Sequence, residues 1–221
     1  MSPTPRAMRV SNARSSGSTR RRATPDRQRE IIDRLEALLL SEGFQGLTVD
    51  DIAARLQCSK STLYAIAASK EQLVTVVVKH FFREAARRVE DNVAGVEDLA
   101  QRISVYLSSV GAEMRRMSAV CYADMVTFPV TGDIYEHNSR VAARRVHEMI
   151  DEGVKAGTFR ALHASFVAES VSLLIDGIQQ GALLERTGLS SGDAYEEMAQ
   201  LVLAALLPEP RATARRKRRA S

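Results

Sequence analysis

The stretch Thr48-Val-Asp-Asp-Ile-Ala-Ala-Arg-Leu-Gln-Cys-Ser-Lys-Ser-Thr-Leu-Tyr-Ala-Ile-Ala-Ala-Ser-Lys70 decides the fold. Thr48 is an N-cap, and Asp51 three residues on completes a capping box. Ile52, Ala53 and Leu56 supply a small apolar face for the helix that follows. Gln57-Cys58 interrupts it, Ser59 caps a second helix anchored by Leu63, and Ser69-Lys-Glu-Gln72 opens a third. Lys60, Ser61, Thr62 and Tyr64 fall on the N-terminal, outward side of the second helix. Three helix starts this close together form a helix-turn-helix pattern, whose second helix enters the DNA major groove N-terminus first.

Working outward, Ile31, Leu35, Leu38 and Leu39 make the buried stripe of a helix that starts at Thr24-Pro25 and stops at Gly43. Together with Phe44, Leu47, Thr48-Val-Asp-Asp-Ile-Ala53, Ser59-Lys-Ser-Thr-Leu-Tyr64, Ser69-Lys-Glu71 and Leu73, this stretch resembles the N-terminal domain of TetR-family transcriptional regulators. A second stretch, Asp151-Glu-Gly153 to Ala156-Gly-Thr-Phe159, is similar to the link before the family's penultimate helix. The resemblance implies that Thr48, Tyr64 and Lys70 meet phosphates, and that Lys60, Ser61 and Thr62 meet base edges. Phosphate contacts fix register, and base contacts carry the sequence information. The chain departs from the family at Gln57, where Gly is usual, at Ala65, Ile66 and Ala67, where further aromatics are usual, and at Ala68, where Pro is common.

The chain has 221 residues, no Trp, 5% aromatics and few Pro or Gly within its periodic stretches, a composition that favours an all-α protein of one or two domains. No apolar run approaches the roughly 18 residues of a membrane span. The N-terminus lacks the apolar segment of a secretory signal. Cys58 and Cys121 form no metal or redox motif; Cys58 reads as a small core hydrophobe, with a redox sensor as the alternative, and a reducing cytoplasm fits. Eight arginines against Asp26 and Glu30 put residues 1–30 at +6. Six Lys/Arg against Glu209 put residues 208–221 at +5. Of the chain's net +4, the stretch between therefore carries −7, so an acidic body lies between two basic arms that attract phosphate through counterion release. Within the first arm, Arg20, Arg21 and Arg22 are candidates to reach the minor groove.

The expected organisation is a disordered arm over 1–23, a helix-turn-helix DNA-binding domain over 24–80, a helical ligand-binding and dimerisation domain over 81–207, and a basic tail over 208–221, with about nine helices. In the second domain, helices are expected at 70–93, 97–114, 118–128, 134–155, 165–186 and 193–207, with Pro129 and Gly132 interrupting the chain and Gly153 and Gly157 closing the longest helix. Helix 165–186 is apolar on two sides, and a twofold-related copy is the simplest cover for the second. The dimer residues so marked are Phe166, Ser170, Leu173, Leu174, Gly177, Gly181 and Leu184, continued by Met198, Leu201 and Ala205. The resemblance implies a four-helix dimer interface there. Phe82, Tyr106, Met114, Met117, Tyr122, Met125, Phe128 and His137 are candidate lining for a pocket holding a small apolar effector.

No Glu-x-x-His pair, Gly-rich phosphate loop, His-Glu-x-x-His or Gly-x-Ser-x-Gly occurs, so no catalytic residue, metal site or cofactor is expected. The reading is a homodimeric, ligand-released repressor that binds a double-stranded operator and no membrane. A nonspecific architectural DNA binder using the basic arms, or a helical-bundle enzyme, are the alternatives.

Overall fold

The computed structural model describes residues 25–208, which form ten helices. They are α1 (Pro25–Glu42), α2 (Val49–Arg55), α3 (Lys60–Tyr64), α4 (Lys70–Val93), α5 (Leu99–Met114), α6 (Ala119–Thr127), α7 (Pro129–Lys155), α8 (Ala164–Gln179), α9 (Ala182–Thr187) and α10 (Ser191–Leu206). Among the described residues there is no strand. No described helix is long and apolar enough to cross a membrane. The expectations for Arg20, Arg21, Arg22 and the basic tail lie outside the described residues, apart from Pro208.

α2 and α3 are too short to persist alone, because helix nucleation is unfavourable and few bonds follow it. Their ends are fixed by side chains instead. Thr48 accepts from the Asp51 amide at 3.2 Å, while Asp51 accepts from the Thr48 amide at 2.8 Å. Ser59 accepts from the Thr62 amide and Ser69 from the Gln72 amide, each at 3.2 Å. Leu35, Ile52, Leu63 and Leu73, all essentially inaccessible, close the small core these helices share with α1 and α4. α4 belongs to two neighbourhoods: it packs on α1 in a head made of α1, α2, α3 and its own first turns, and on α5 and α7 in a body made of the rest of α4 and α5 to α10.

Four boundaries differ from the sequence reading. Pro129 starts α7 rather than breaking the chain, because proline at the first helical position loses no needed N–H. Gly132 lies inside that helix. Gly153 is also internal and buried; a side chain there would collide with the ring of Phe159, so the residue answers a packing need, and Gly157 in the left-handed region ends the helix. The expected helix 165–186 is two helices, because Gly181 takes φ +80° between them. Gly177 and Gly181 therefore form no common helical stripe.

Cys121 is buried and its thiol is pushed up to about 12 by desolvation. Cys58 is half-buried against the head core, and desolvation raises its thiol too. Both are held as thiols at neutral pH, in keeping with a packing role.

Candidate nucleic-acid interface and ligand cavity

α3 presents one side to the core and the other to solvent. Leu63 is 1% exposed, whereas Lys60, Ser61 and Tyr64 are exposed and Thr62 is half-buried. The Ser59 hydroxyl lies 2.7 Å from that of Ser61 and 2.8 Å from that of Thr62, so the start of α3 carries a chain of hydroxyls. Lys60 does not stand free: its ammonium lies 2.6 Å from Asp50 on α2, which raises its pKa through hydrogen bonding and charge. Both side chains are mostly exposed and solvent screens their attraction, so exchanging Asp50 for an acceptor on DNA costs little.

Thr48 and Lys70 also have partners inside the head. The Thr48 hydroxyl lies 2.6 Å from the Asp51 carboxylate, and this bond together with that from the Thr48 amide holds Asp51 below its usual pKa. The Lys70 ammonium donates to the Gln45 carbonyl at 2.9 Å. Both residues thus brace the turn that leads into α2. Gln57, the turn residue of the motif, takes φ +50°, the one non-glycine residue in the left-handed region among those described. Other bonds of the head have no sequence signature. Arg34 donates to the Leu56 carbonyl at 2.6 Å, and Arg55 pairs with Glu42.

The seam between head and body was also missed from sequence, because its partners lie about 80 residues apart. Asp124 on α6 accepts from the Phe44 and Gln45 amides at 2.6 and 2.8 Å. A Cβ on Gly43 would meet the same carboxylate, so that glycine serves both a left-handed turn and a close approach. The Ser118 amide donates to the Leu40 carbonyl at 2.8 Å. Arg116, just beyond α5, donates to Glu36 on α1 at 2.6 Å and to Glu113 at 2.8 Å. Arg88 on α4 grips the same Glu113 through two bonds of 2.6 and 2.7 Å. Burial pushes Glu113 up, but the bonds from Arg88 and Arg116 outweigh it and hold its pKa low. Glu36 is 5% exposed, and its Oε2 has no hydrogen-bond partner among the described residues.

Below this seam, α4, α5, α7 and α8 enclose a cavity of about 380 Å³. Phe82, Tyr106 and Met114 line it, as does Glu113. Met117, Tyr122, Met125, Phe128 and His137, expected to join them, do not. The reason is the direction of α6: it packs on α1 and α7, so its apolar side is spent on the seam. Met117, Tyr122 and Met125 are buried core there, and Phe128 meets Phe44 edge to face at 6.2 Å. His137 is exposed on α7. Tyr135, Asn138, Val171 and Asp176 take the vacant lining positions; they come from helices whose register the sequence left open.

On the far side, Phe166 and Leu173 are each 72% exposed on α8, and Leu201 is 61% exposed on α10. Ser170, Leu174, Gly177, Gly181, Leu184 and Ala205 are half-buried. Met198, expected on the same surface, is 4% exposed and packs into the chain's own core, because it shares the inward side of α10 with Ala194, Tyr195 and Val202.

Residues 31–77, the span of α1 to α3 and the start of α4, match the family of bacterial regulatory proteins designated tetR. The likeness to that family lies in this N-terminal stretch of the chain. A curated relative, the uncharacterised HTH-type transcriptional regulator YvaF of Bacillus subtilis (strain 168), is 42% identical over 62 residues, and the match spans 28% of this chain and 32% of that protein. The likeness of fold to solved regulators extends through the body. A transcriptional regulator from Saccharomonospora viridis, solved in complex with choline, superposes with a TM-score of 0.71 over 84% of this chain and 100% of its own, at 19% identity. A TetR regulator from Haloarcula marismortui gives 0.70 over the same shares at 18% identity. The ketosteroid transcriptional regulator KstR2 of Mycobacterium tuberculosis gives 0.58 over 85% of this chain and 98% of its own, at 19% identity. The matching family and these neighbours are transcriptional regulators.

Proposed function

We propose that this chain is a TetR-family repressor that binds an operator in duplex DNA as a homodimer and lets go when a small, largely apolar molecule fills the body cavity. The observation that carries the reading is α3: a five-residue helix fixed by a capping serine and one buried leucine, with Lys60, Ser61 and Tyr64 turned to solvent. Lys60 suits the O6 and N7 acceptors of guanine, and Ser61 and Thr62 suit either base edge. Lys70, Thr48 and Tyr64 serve the backbone, the first two by exchanging their present partners for phosphate oxygens. One such head covers too few base pairs to select a single site. A dimer reads two half-sites about 34–36 Å apart or a multiple of that spacing. The exposed Phe166, Leu173 and Leu201 are its natural contact, since apolar side chains this exposed on two neighbouring helices gain by mutual burial.

Release follows from the seam. Glu113 borders the cavity and holds Arg116, which in turn holds Glu36 in the head. An occupant that displaces Glu113 or tilts α4 changes the spacing of the two heads. It shifts the equilibrium only by the difference in its affinity for the two spacings.

Selecting bound duplexes from a random pool at fixed salt tests the reading against an architectural binder. Enrichment of one inverted repeat supports it. Affinity that falls steeply with salt and ignores base sequence would overturn it.

A further inference from the structure

We infer that the cavity's occupant is an apolar molecule bearing one cationic ammonium group, seated beside Asp176 and the rings of Phe82 and Tyr135. This rests on the reading of the cavity as the effector site and narrows its chemistry. Four carboxylates line the cavity: Glu90, Glu113, Glu148 and Asp176. Three already have cations within the chain. Glu90 accepts from Arg145 at 3.0 and 3.2 Å, Glu148 lies 3.9 Å from the same guanidinium, and Glu113 holds Arg88 and Arg116. Asp176 differs. Among the described residues no cation lies within ion-pair distance of it, and its Oδ1 accepts from the Tyr135 hydroxyl at 2.8 Å. Arg144, the other cation of the lining, is turned to solvent.

Asp176 is half-buried and borders apolar walls with its negative charge unpaired within the chain, so an occupant carrying the complementary positive charge is favoured there over a neutral one. The surrounding rings favour the same charge. Phe82 and Tyr135 both line the cavity, their rings 6.2 Å apart. Ring faces attract an ammonium, most strongly when it is shielded from water. A carboxylate in the same place would face Asp176 directly. A neutral molecule would gain apolar burial but leave Asp176 as it is.

The test uses the full chain and two shape-matched probes in calorimetry: benzyltrimethylammonium and its neutral carbon counterpart, neopentylbenzene. The cation is expected to bind about tenfold or more tighter than the hydrocarbon. Asp176→Asn, which keeps an acceptor for Tyr135, is expected to erase that preference while leaving the hydrocarbon's affinity unchanged. Glu148→Gln is expected to preserve it. Equal binding of both probes, or a preference that survives Asp176→Asn, overturns the inference while leaving the cavity a ligand site. Binding of neither probe overturns both. Should Asp176→Asn fail to fold, the wild-type comparison of the two probes decides alone.

Discussion

Head and body are both helical, yet they are held by different means. In the head, α2, α3 and α4 each start on a capping side chain, and the helices between caps are as short as five residues. In the body, α5, α6, α8 and α10 also start on capping side chains, but most helices run 16 residues or more, α7 runs 27 from a phenylalanine with no side-chain cap, and the helices around it leave a cavity of about 380 Å³. The short helices of the first region depend on their caps, whereas the long helices of the second are placed mainly by packing between distant segments. The contrast fits the proposed division of labour: a rigid reading unit needs few degrees of freedom, whereas a sensing unit needs space that an occupant can fill.

The sharpest way to break this comparison is to remove the head's single anchor. Leu63→Ala should lower stability by about 2–5 kcal/mol, the range for a buried leucine. Because α3 has no other core residue, DNA binding should disappear with it. A urea melt and a binding titration would check both, and a mild loss would mean that the caps alone hold α3.

Next in size is the seam. Arg116→Ala leaves Glu36 buried without its cation, at a cost of about 1–3 kcal/mol. The variant should still bind DNA but lose release by a cavity ligand, because the link from Glu113 to the head is gone. Unchanged release would place the coupling elsewhere, along α4 alone. The same seam should respond to acid. Glu113 is held below its ordinary value of 4.5, so its contribution is complete above about that pH and is lost as pH falls through the lower folded value. Melts of wild type and Glu113→Gln should converge at the acid end, and parallel curves would contradict this.

The smallest expected effect lies in the motif's turn. Gln57→Gly should raise stability by about 1 kcal/mol, since a side chain in the left-handed region is strained where glycine is not. A lower melting temperature would mean that the Gln57 side chain contributes more than its backbone costs.

These differences also explain what could be read from the sequence. The head was legible because caps, turn and anchor lie within a few residues of one another. Thr48 with Asp51, Ser59 with Thr62 and Ser69 with Gln72 all formed as spacing predicts. What it hid were pairs across helices: Asp50 with Lys60, Lys70 with Gln45, Asp124 with Phe44. In the body, periodicity found the helices but could not say which apolar side met which neighbour. Met117, Tyr122, Met125 and Phe128, on and beside α6, therefore read as pocket lining although they pack against α1 and α7, and Met198 reads as interface although it fills the core. Asp176 had no motif to mark it, since its distinction is the counter-charge it lacks. Gly181 was assigned to a helix because a glycine's φ is not written in its neighbours.

The most direct test of base reading by α3 compares Lys60→Ala with Lys70→Ala on the selected operator and on single-base variants of it. Lys60→Ala should flatten the discrimination at one position in each half-site, worth roughly 1–3 kcal/mol, while Lys70→Ala should weaken every sequence alike. Uniform loss in both variants would contradict the assignment of base reading to α3.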